Sequence, residues 1–158
     1  MPKEIERKFL VAGDAWRGAA KPLYLCQGYL SDERERTVRV RTGDDGSWLT
    51  IKGLSEGATR LEYEYEIDEV EAREMLDLIC RKPLLEKRRS RIPYAGLTWE
   101  VDEFLGENEG LIVAEVELES EDQKIDFPAW VGREVTGDVR YYNSNLLKNP
   151  YARWRESV

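Results

Sequence analysis

The chain has 158 residues, of which 35% are charged and 41% hydrophobic, and its formal net charge is −8. This length suits a single domain spanning 1–158 with a sizeable core, and eight tyrosines and five tryptophans argue against disorder. The negative charge argues against a general nucleic-acid binder, whose affinity comes from an excess of Lys and Arg.

Most of the chain is predicted to form strands with alternating charged and apolar positions. The first, over 3–11, places Glu4, Glu6 and Lys8 on one face, because successive side chains of a strand point to opposite faces. The other predicted strands cover 22–30, 36–42, 47–52, 59–67, 85–92, 97–105 and 111–119. Turn signals at 42–47, 93–96 and 106–110 connect several of them. Eight strands with short turns indicate an antiparallel meander that could close into a barrel.

Three helices are predicted between or after these strands. The first covers 69–80, with Asp68 as its N-cap and Pro83 beyond its end. A second is predicted over 123–132, and a third begins near Asn143. Two or three amphipathic helices can cover only part of a barrel exterior.

Residue types that are absent from the sequence restrict the chemistry that the protein can perform. The sequence contains no histidine, which removes the commonest general base and the commonest transition-metal ligand. Any metal is therefore expected to be a hard cation on oxygen ligands.

Cys26 and Cys80 form no CxxC motif and are predicted to be free thiols. No apolar stretch approaches about 18 residues and no signal peptide is evident, so a cytoplasmic protein without membrane contact is expected.

The charged positions of the predicted strands form an ordered set of both signs. The acids are Glu4, Glu6, Glu62, Glu64, Glu100, Asp102, Glu115 and Glu117. The bases are Lys8, Arg39, Arg41, Lys52, Lys87, Arg89 and Arg91. The pattern alone allows either an apolar core with exposed charges or a charged interior. A charged interior needs water, internal pairing or a ligand, because each unpaired buried ion costs several kcal/mol.

A phosphate-rich ligand with bound metal would satisfy both signs. Acid-rich strands can hold divalent cations, and arginine guanidinium groups match phosphate oxygens bidentately. The basic run Lys87-Arg88-Arg89-Ser90-Arg91 indicates that a focused anion site is compatible with the negative net charge.

The ordered set resembles the CYTH superfamily, the triphosphate tunnel metalloenzymes. Glu4-Ile5-Glu6-Arg7-Lys8 is similar to the family's ExExK signature, and the similarity extends to Val135–Tyr141 and Asn143. The resemblance implies an α+β, mostly β fold, in which a closed eight-stranded antiparallel β-barrel forms a tunnel with a charged interior and a few flanking helices. It implies a small-molecule linear triphosphate as substrate, with Mg²⁺ or Mn²⁺ as cofactor. The compact bacterial-looking members are associated mostly with inorganic triphosphate hydrolysis, which is the activity expected here.

The resemblance also implies roles for the matching residues. The predicted catalytic set is Glu4, Glu6, Lys8, Lys52, Glu62 and Glu64. The predicted metal ligands are Glu4, Glu6, Glu115 and Glu117 for one ion, and Glu62, Glu64, Glu100 and Asp102 for a second. The predicted triphosphate-binding residues are Lys8, Arg39, Arg41, Lys52, Lys87, Arg89, Arg91 and, near one mouth, Arg140.

Three other hypotheses stay open at this point. A class IV adenylate cyclase would need a purine pocket, for which Trp16, Tyr24, Tyr29, Trp130 and Tyr142 are stacking candidates that fit barrel packing equally well. A polyphosphate or nucleotide binder without turnover would have little need of eight inward carboxylates. A barrel with its charges outside would not be stabilised by divalent ions. A homodimer through the exterior tyrosine and valine faces is compatible with all of them.

Overall fold

The computed structural model describes residues 2–155, which form strands over most of their length. The strands are β1 (Lys3–Val11), β2 (Leu23–Glu33), β3 (Arg36–Gly43), β4 (Gly46–Gly53), β5 (Thr59–Glu66), β6 (Leu85–Tyr94), β7 (Leu97–Phe104), β8 (Ile112–Glu117) and β9 (Val131–Glu134). The α-helices are α1 (Glu69–Leu78) and α2 (Asn143–Leu146). Single 3₁₀ turns cover Gly106–Asn108, Val139–Tyr141 and Tyr151–Arg153.

Eight of the strands close into a ring. Their order is β5-β4-β3-β2-β6-β7-β8-β1, and every neighbouring pair is antiparallel. The ring is closed by a short pairing of β1 with β5, which runs from Lys3 opposite Leu61 to Ile5 opposite Thr59. Strand β9 adds to the end of β1 outside the ring. The predicted closed eight-stranded antiparallel fold is therefore confirmed.

The strand register sends the charged faces into the ring. Arg89 lies opposite Asp102, and Glu115 lies opposite both Glu100 and Lys8. Directly opposed residues on neighbouring strands project to the same face of a sheet, so the charges of one strand meet those of the next. These side chains enclose a space within the ring, which decides between the two arrangements in favour of a charged interior.

Aromatic residues cover one side of the exterior. Trp99 and Val116 are fully buried between the sheet and two connecting segments that contribute Trp16 and Trp130. The rings of Trp99 and Trp130 meet edge to face with centroids 5.9 Å apart. Burying a large aromatic side chain removes more apolar area than any aliphatic one, so this cluster holds β1, β7 and β8 together from outside.

Helix α1 covers a second part of the exterior. Asp68 caps it by accepting a hydrogen bond from the backbone N–H of Glu71 at 3.2 Å, as predicted. Ala72 and Leu76 are buried against Val40 of β3. The predicted helix over 69–80 is confirmed, and it ends two residues earlier, at Leu78. No helix within residues 2–155 is long and apolar enough to cross a membrane.

The helix predicted over 123–132 is wrong. The structure has irregular chain up to Trp130 and then β9, which pairs with β1. The N–H of Ala12 donates to the carbonyl of Trp130 at 2.7 Å, and the N–H of Val135 donates to that of Lys8 at 2.8 Å. Pro128 has no N–H for a helix to use, and extended chain here satisfies backbone groups of β1 that a helix would leave unpaired. The helix predicted from Asn143 is present as the single turn α2.

An apolar layer fills one end of the ring, where the C-terminal segment packs against inward side chains. It consists of Leu85, Phe104, Leu111, Val113, Val135, Tyr141, Leu146 and Trp154. The apolar layer limits the charged part of the interior to the remainder of the ring.

The outer face of β4 and β5 stays partly exposed. Ile51 and Tyr63 are each 36% exposed, and Tyr65 is 54% exposed. A homodimer through that face stays a prediction.

Candidate active site

Two cavities lie inside the ring and share six lining residues: Glu4, Glu6, Arg39, Lys52, Arg89 and Glu115. The proximal cavity, beside the C-terminal segment, has a volume of about 90 Å³ and is also lined by Lys8, Lys87 and Tyr142. The distal cavity has a volume of about 170 Å³. All of its lining residues are charged: Glu4, Glu6, Arg39, Arg41, Lys52, Glu62, Glu64, Arg89, Arg91, Glu100, Glu115 and Glu117. Every interior charge predicted from the sequence except Asp102 therefore lines one or both cavities.

Lys52 joins two carboxylates where the cavities meet. Its Nζ lies 2.9 Å from Oε2 of Glu4 and 3.4 Å from Oε2 of Glu62. Burial acts to raise the pKa of Glu4, but the charge of Lys52 and its hydrogen bonds outweigh it and lower that pKa to about 2. Burial and the neighbouring Glu4 raise the pKa of Glu62 to about 7. Of this pair, Glu4 holds the negative charge, and Glu62 is only partly ionised near neutral pH.

Glu6, Glu115 and Glu117 bring further negative charge to the same region. Burial, followed by the charges of Glu115 and Glu4, raises the pKa of Glu6 well above its usual value. Burial, followed by Glu4 and Glu100, also raises the pKa of Glu117. These carboxylates repel one another, and a cation placed among them would relieve that repulsion.

The donor set fits a hard divalent cation. Seven glutamates supply only oxygen ligands, which are those that Mg²⁺ and Mn²⁺ prefer. Within residues 2–155, no three carboxylates are yet arranged as a ligand cage. The side-chain ammonium groups explain this, since Lys52 bonds to Glu4 and Lys8 lies 3.6 Å from Glu115.

Asp102 does not line either cavity and lies in a buried group of ion pairs. Its Oδ1 accepts from Nε of Arg89 at 2.7 Å, and its Oδ2 lies 2.8 Å from Nζ of Lys87. Although burial acts to raise the pKa of Asp102, the charges of Arg89 and Lys87 lower it far below its usual value. Burial also lowers the pKa of Lys87, to about 8, in spite of Asp102. Asp102 thus supports two cavity cations directly.

Two arginines of the cavities, Arg39 and Arg41, are short of hydrogen-bond acceptors. Burial, followed by the charges of Arg39 and Arg89, lowers the pKa of Arg41 to about 10. The Nε atoms of Arg39 and Arg41 are buried and have no hydrogen-bond partner among the described residues. Buried donors without acceptors are costly, and an anion with several oxygens would satisfy them.

Neutral polar residues also line the proximal cavity, and the charge pattern did not identify them. Tyr29, Thr37, Thr50 and Asn143 are among them. Tyr29 follows Gln27 by two residues on β2, and their side chains lie 3.3 Å apart. That polar alternation was the available signal, since neither Gln27 nor Tyr29 carries a charge.

Arg140 lies apart from the residues that line the two cavities. Its guanidinium forms hydrogen bonds to Asp138, the shortest at 2.7 Å, and lies over the rings of Tyr141 and Trp154. Its predicted phosphate contact stays a prediction.

Comparisons with known proteins agree with this geometry. The family model described as the CYTH domain matches residues 2–148. The chain is 54% identical over 156 residues to a protein of Acetivibrio thermocellus named inorganic triphosphatase, covering 99% of this chain and 100% of that one. It is 39% identical over 149 residues to the Nitrosomonas europaea protein of the same name, covering 90% and 95%. A crystal structure of an inorganic triphosphatase superposes with a TM-score of 0.65 at 36% identity, covering 93% of this chain and 95% of that one.

Proposed function

The chain belongs to the CYTH domain family, and from this premise we propose that it hydrolyses inorganic triphosphate to pyrophosphate and phosphate. Two relatives that cover nearly the whole chain are named inorganic triphosphatases. The observation that carries the proposal is the wholly charged distal cavity, in which under-bonded arginines face carboxylates that repel one another. A linear triphosphate with a bound cation is a ligand that meets both demands.

The cavity cations would bind the substrate along the tunnel. Lys8, Arg39, Lys52, Lys87 and Arg89 line the proximal cavity, and Arg41 and Arg91 extend the basic lining into the distal one. Phosphoryl transfer depends chiefly on positioning and on stabilising charge at the phosphate oxygens. Ion pairs with neighbouring carboxylates hold several of these side chains at the cavities, among them Lys8, Lys52 and Arg89.

The carboxylates would hold Mg²⁺ or Mn²⁺. Glu4, Glu6, Glu115 and Glu117 are proposed for one ion. Glu62, Glu64, Glu100 and Asp102 are proposed for a second, and the buried ion pairs of Asp102 favour a supporting role for that residue. A bound divalent cation supplies charge neutralisation on the phosphates and a water of lowered pKa.

Glu62 gives the chain a group that can exchange protons near neutral pH. Its pKa of about 7 follows from burial and from Glu4 beside it. Glu62 and Glu64 border the distal cavity next to Lys52 and Arg39. These two carboxylates are therefore placed to orient a water molecule beside the basic side chains.

The proposal is tested by phosphate release from tripolyphosphate, with ATP and pyrophosphate as alternative substrates, in Mg²⁺ and in Mn²⁺. We expect metal-dependent hydrolysis of tripolyphosphate and little cleavage of pyrophosphate. Formation of cyclic AMP from ATP without tripolyphosphate hydrolysis would indicate a cyclase instead. Binding without turnover in both metals would indicate a sensor.

A further inference from the structure

Asp45 is a turn residue whose carboxylate reaches two arginines of the tunnel. It lies in the turn between β3 and β4, yet its side chain is only 13% exposed. Its Oδ2 accepts hydrogen bonds from NH2 of Arg41 at 3.2 Å and from NH2 of Arg91 at 2.7 Å. From the sequence alone, Asp45 is predicted only to lie in a turn.

The two arginines belong to strands that are not neighbours. Arg41 lies on β3 and Arg91 on β6, and β2 runs between those strands in the ring. One carboxylate oxygen therefore ties together two guanidinium groups across an intervening strand. Both arginines line the distal cavity, whereas Asp45 does not. The carboxylate thus holds two cavity-lining arginines without lining the cavity itself, and Nε of Arg41 stays without a hydrogen-bond partner among the described residues.

The local charge explains why such an anchor is needed. Burial lowers the pKa of Arg41, and the nearby charges of Arg39 and Arg89 lower it further. Arg91 has a second anchor, because its Nε donates to Oε2 of Glu100 at 3.0 Å. For Arg41 the only side-chain hydrogen bond among the described residues is the one to Asp45. Without it, repulsion would favour rotamers that turn the guanidinium of Arg41 toward solvent.

We propose that Asp45 is a positioning residue for substrate binding, which aims Arg41 and Arg91 at the phosphate that lies at the distal end of the tunnel. This inference rests on the proposed function, since it takes tripolyphosphate as the ligand. Asp45 acts through the two arginines and makes no contact with the substrate itself.

The test compares Asp45→Asn with Asp44→Asn, its neighbour in the same turn. Asp44 accepts a hydrogen bond from the backbone N–H of Tyr24 at 2.9 Å, so its replacement controls for effects on the turn. Asparagine is as acceptable in such turns as aspartate, so both variants are expected to fold. For Asp45→Asn we expect KM for tripolyphosphate to rise roughly tenfold with kcat within about threefold, the result of losing charge-assisted hydrogen bonds. Asp44→Asn should keep both constants near those of the unmodified protein.

A double-mutant cycle with Arg41→Ala separates positioning from general stability. Because Arg91 keeps its hydrogen bond to Glu100, most of the effect of Asp45 should pass through Arg41. The double variant should therefore bind tripolyphosphate only slightly more weakly than Arg41→Ala alone, well short of the sum of the two single losses. Additive effects, an equal change in Asp44→Asn, or a lower KM in Asp45→Asn would each overturn the proposal. The last result would mean that the carboxylate competes with phosphate for the arginines.

Calorimetric binding of tripolyphosphate, with and without Mg²⁺, distinguishes this inference from the proposed function. If the unmodified protein binds tripolyphosphate without hydrolysing it, and Asp45→Asn weakens that binding, the role of Asp45 stands and the hydrolytic function does not. If hydrolysis occurs and Asp45→Asn changes neither KM nor affinity, the function stands and the role of Asp45 does not. Absence of binding by the unmodified protein would overturn both.

Discussion

Replacement of Asp102 by asparagine tests the buried ion-pair group most directly. The carboxylate bonds to Lys87 at 2.8 Å and to Arg89 at 2.7 Å, and the side chains of Lys87 and Asp102 are each 1% exposed. Asn keeps the shape and one acceptor oxygen but removes the charge. Two buried cations then lose the carboxylate that both of them contact.

The size of the effect follows from burial. Removing one partner of a buried ion pair costs about 3–5 kcal/mol, since the remaining charge stays desolvated. Glu100 lies 3.3 Å from NH1 of Arg89 and compensates in part, so we expect a loss near the lower limit, about 3 kcal/mol. For a chain of this length, that corresponds to a fall in melting temperature of roughly 6–12 °C.

The assay is urea denaturation of the metal-free protein, with Glu103→Gln as the matched control. Glu103 lies on the same strand but pairs with Arg17 at the surface, where their side chains are 32% and 43% exposed. Exposed pairs contribute about 0–1 kcal/mol, so this variant should lose little stability. Adding Lys87→Met to Asp102→Asn should recover stability, because one uncompensated cation is removed.

Two results would refute this reasoning. A loss below about 1 kcal/mol in Asp102→Asn would mean that tunnel water solvates Lys87 and Arg89 without the carboxylate. Unchanged metal-free stability, combined with loss of the stabilisation by Mg²⁺, would identify Asp102 as a metal ligand instead.

Three further predictions concern the cavity itself. Glu6→Gln should abolish phosphate release and the metal-induced rise in melting temperature. It should not lower the stability of the metal-free protein, because burial, Glu115 and Glu4 already raise the pKa of Glu6. A destabilised but active variant would contradict this prediction. Arg41→Ala should raise KM for tripolyphosphate at least about tenfold, and unchanged KM would remove Arg41 from the phosphate path. Burial lowers the pKa of Lys87 from 10.5 to about 8. Between pH 8 and pH 10.5 the Lys87 side chain therefore binds more protons in the unfolded chain than in the folded one, and the free energy of unfolding should rise with pH across this range. Denaturation across that pH range should show a smaller rise in Lys87→Met.

Local patterns were sufficient to predict the eight strands of the ring and the side chains that share one face of each strand. Glu4, Glu6 and Lys8 share a face because the backbone of any strand alternates its side chains, whatever lies around it. The N-cap Asp68 and the helix that follows it are likewise properties of a few neighbouring residues. The helix predicted over 123–132 failed because the unpaired edge of β1, remote in sequence, decides the conformation there.

The sequence by itself determined which charges could share a surface, since alternation is a local property of extended chain. Only the tertiary structure decided that this surface is the interior, because closure depends on the pairing of β1 with β5. It also decided the partners: Asp102 supports Lys87 and Arg89, and Asp45 reaches across β2 to a pair of arginines. Such contacts depend on the register and burial of strands that are distant in the chain, and no spacing along one strand encodes them.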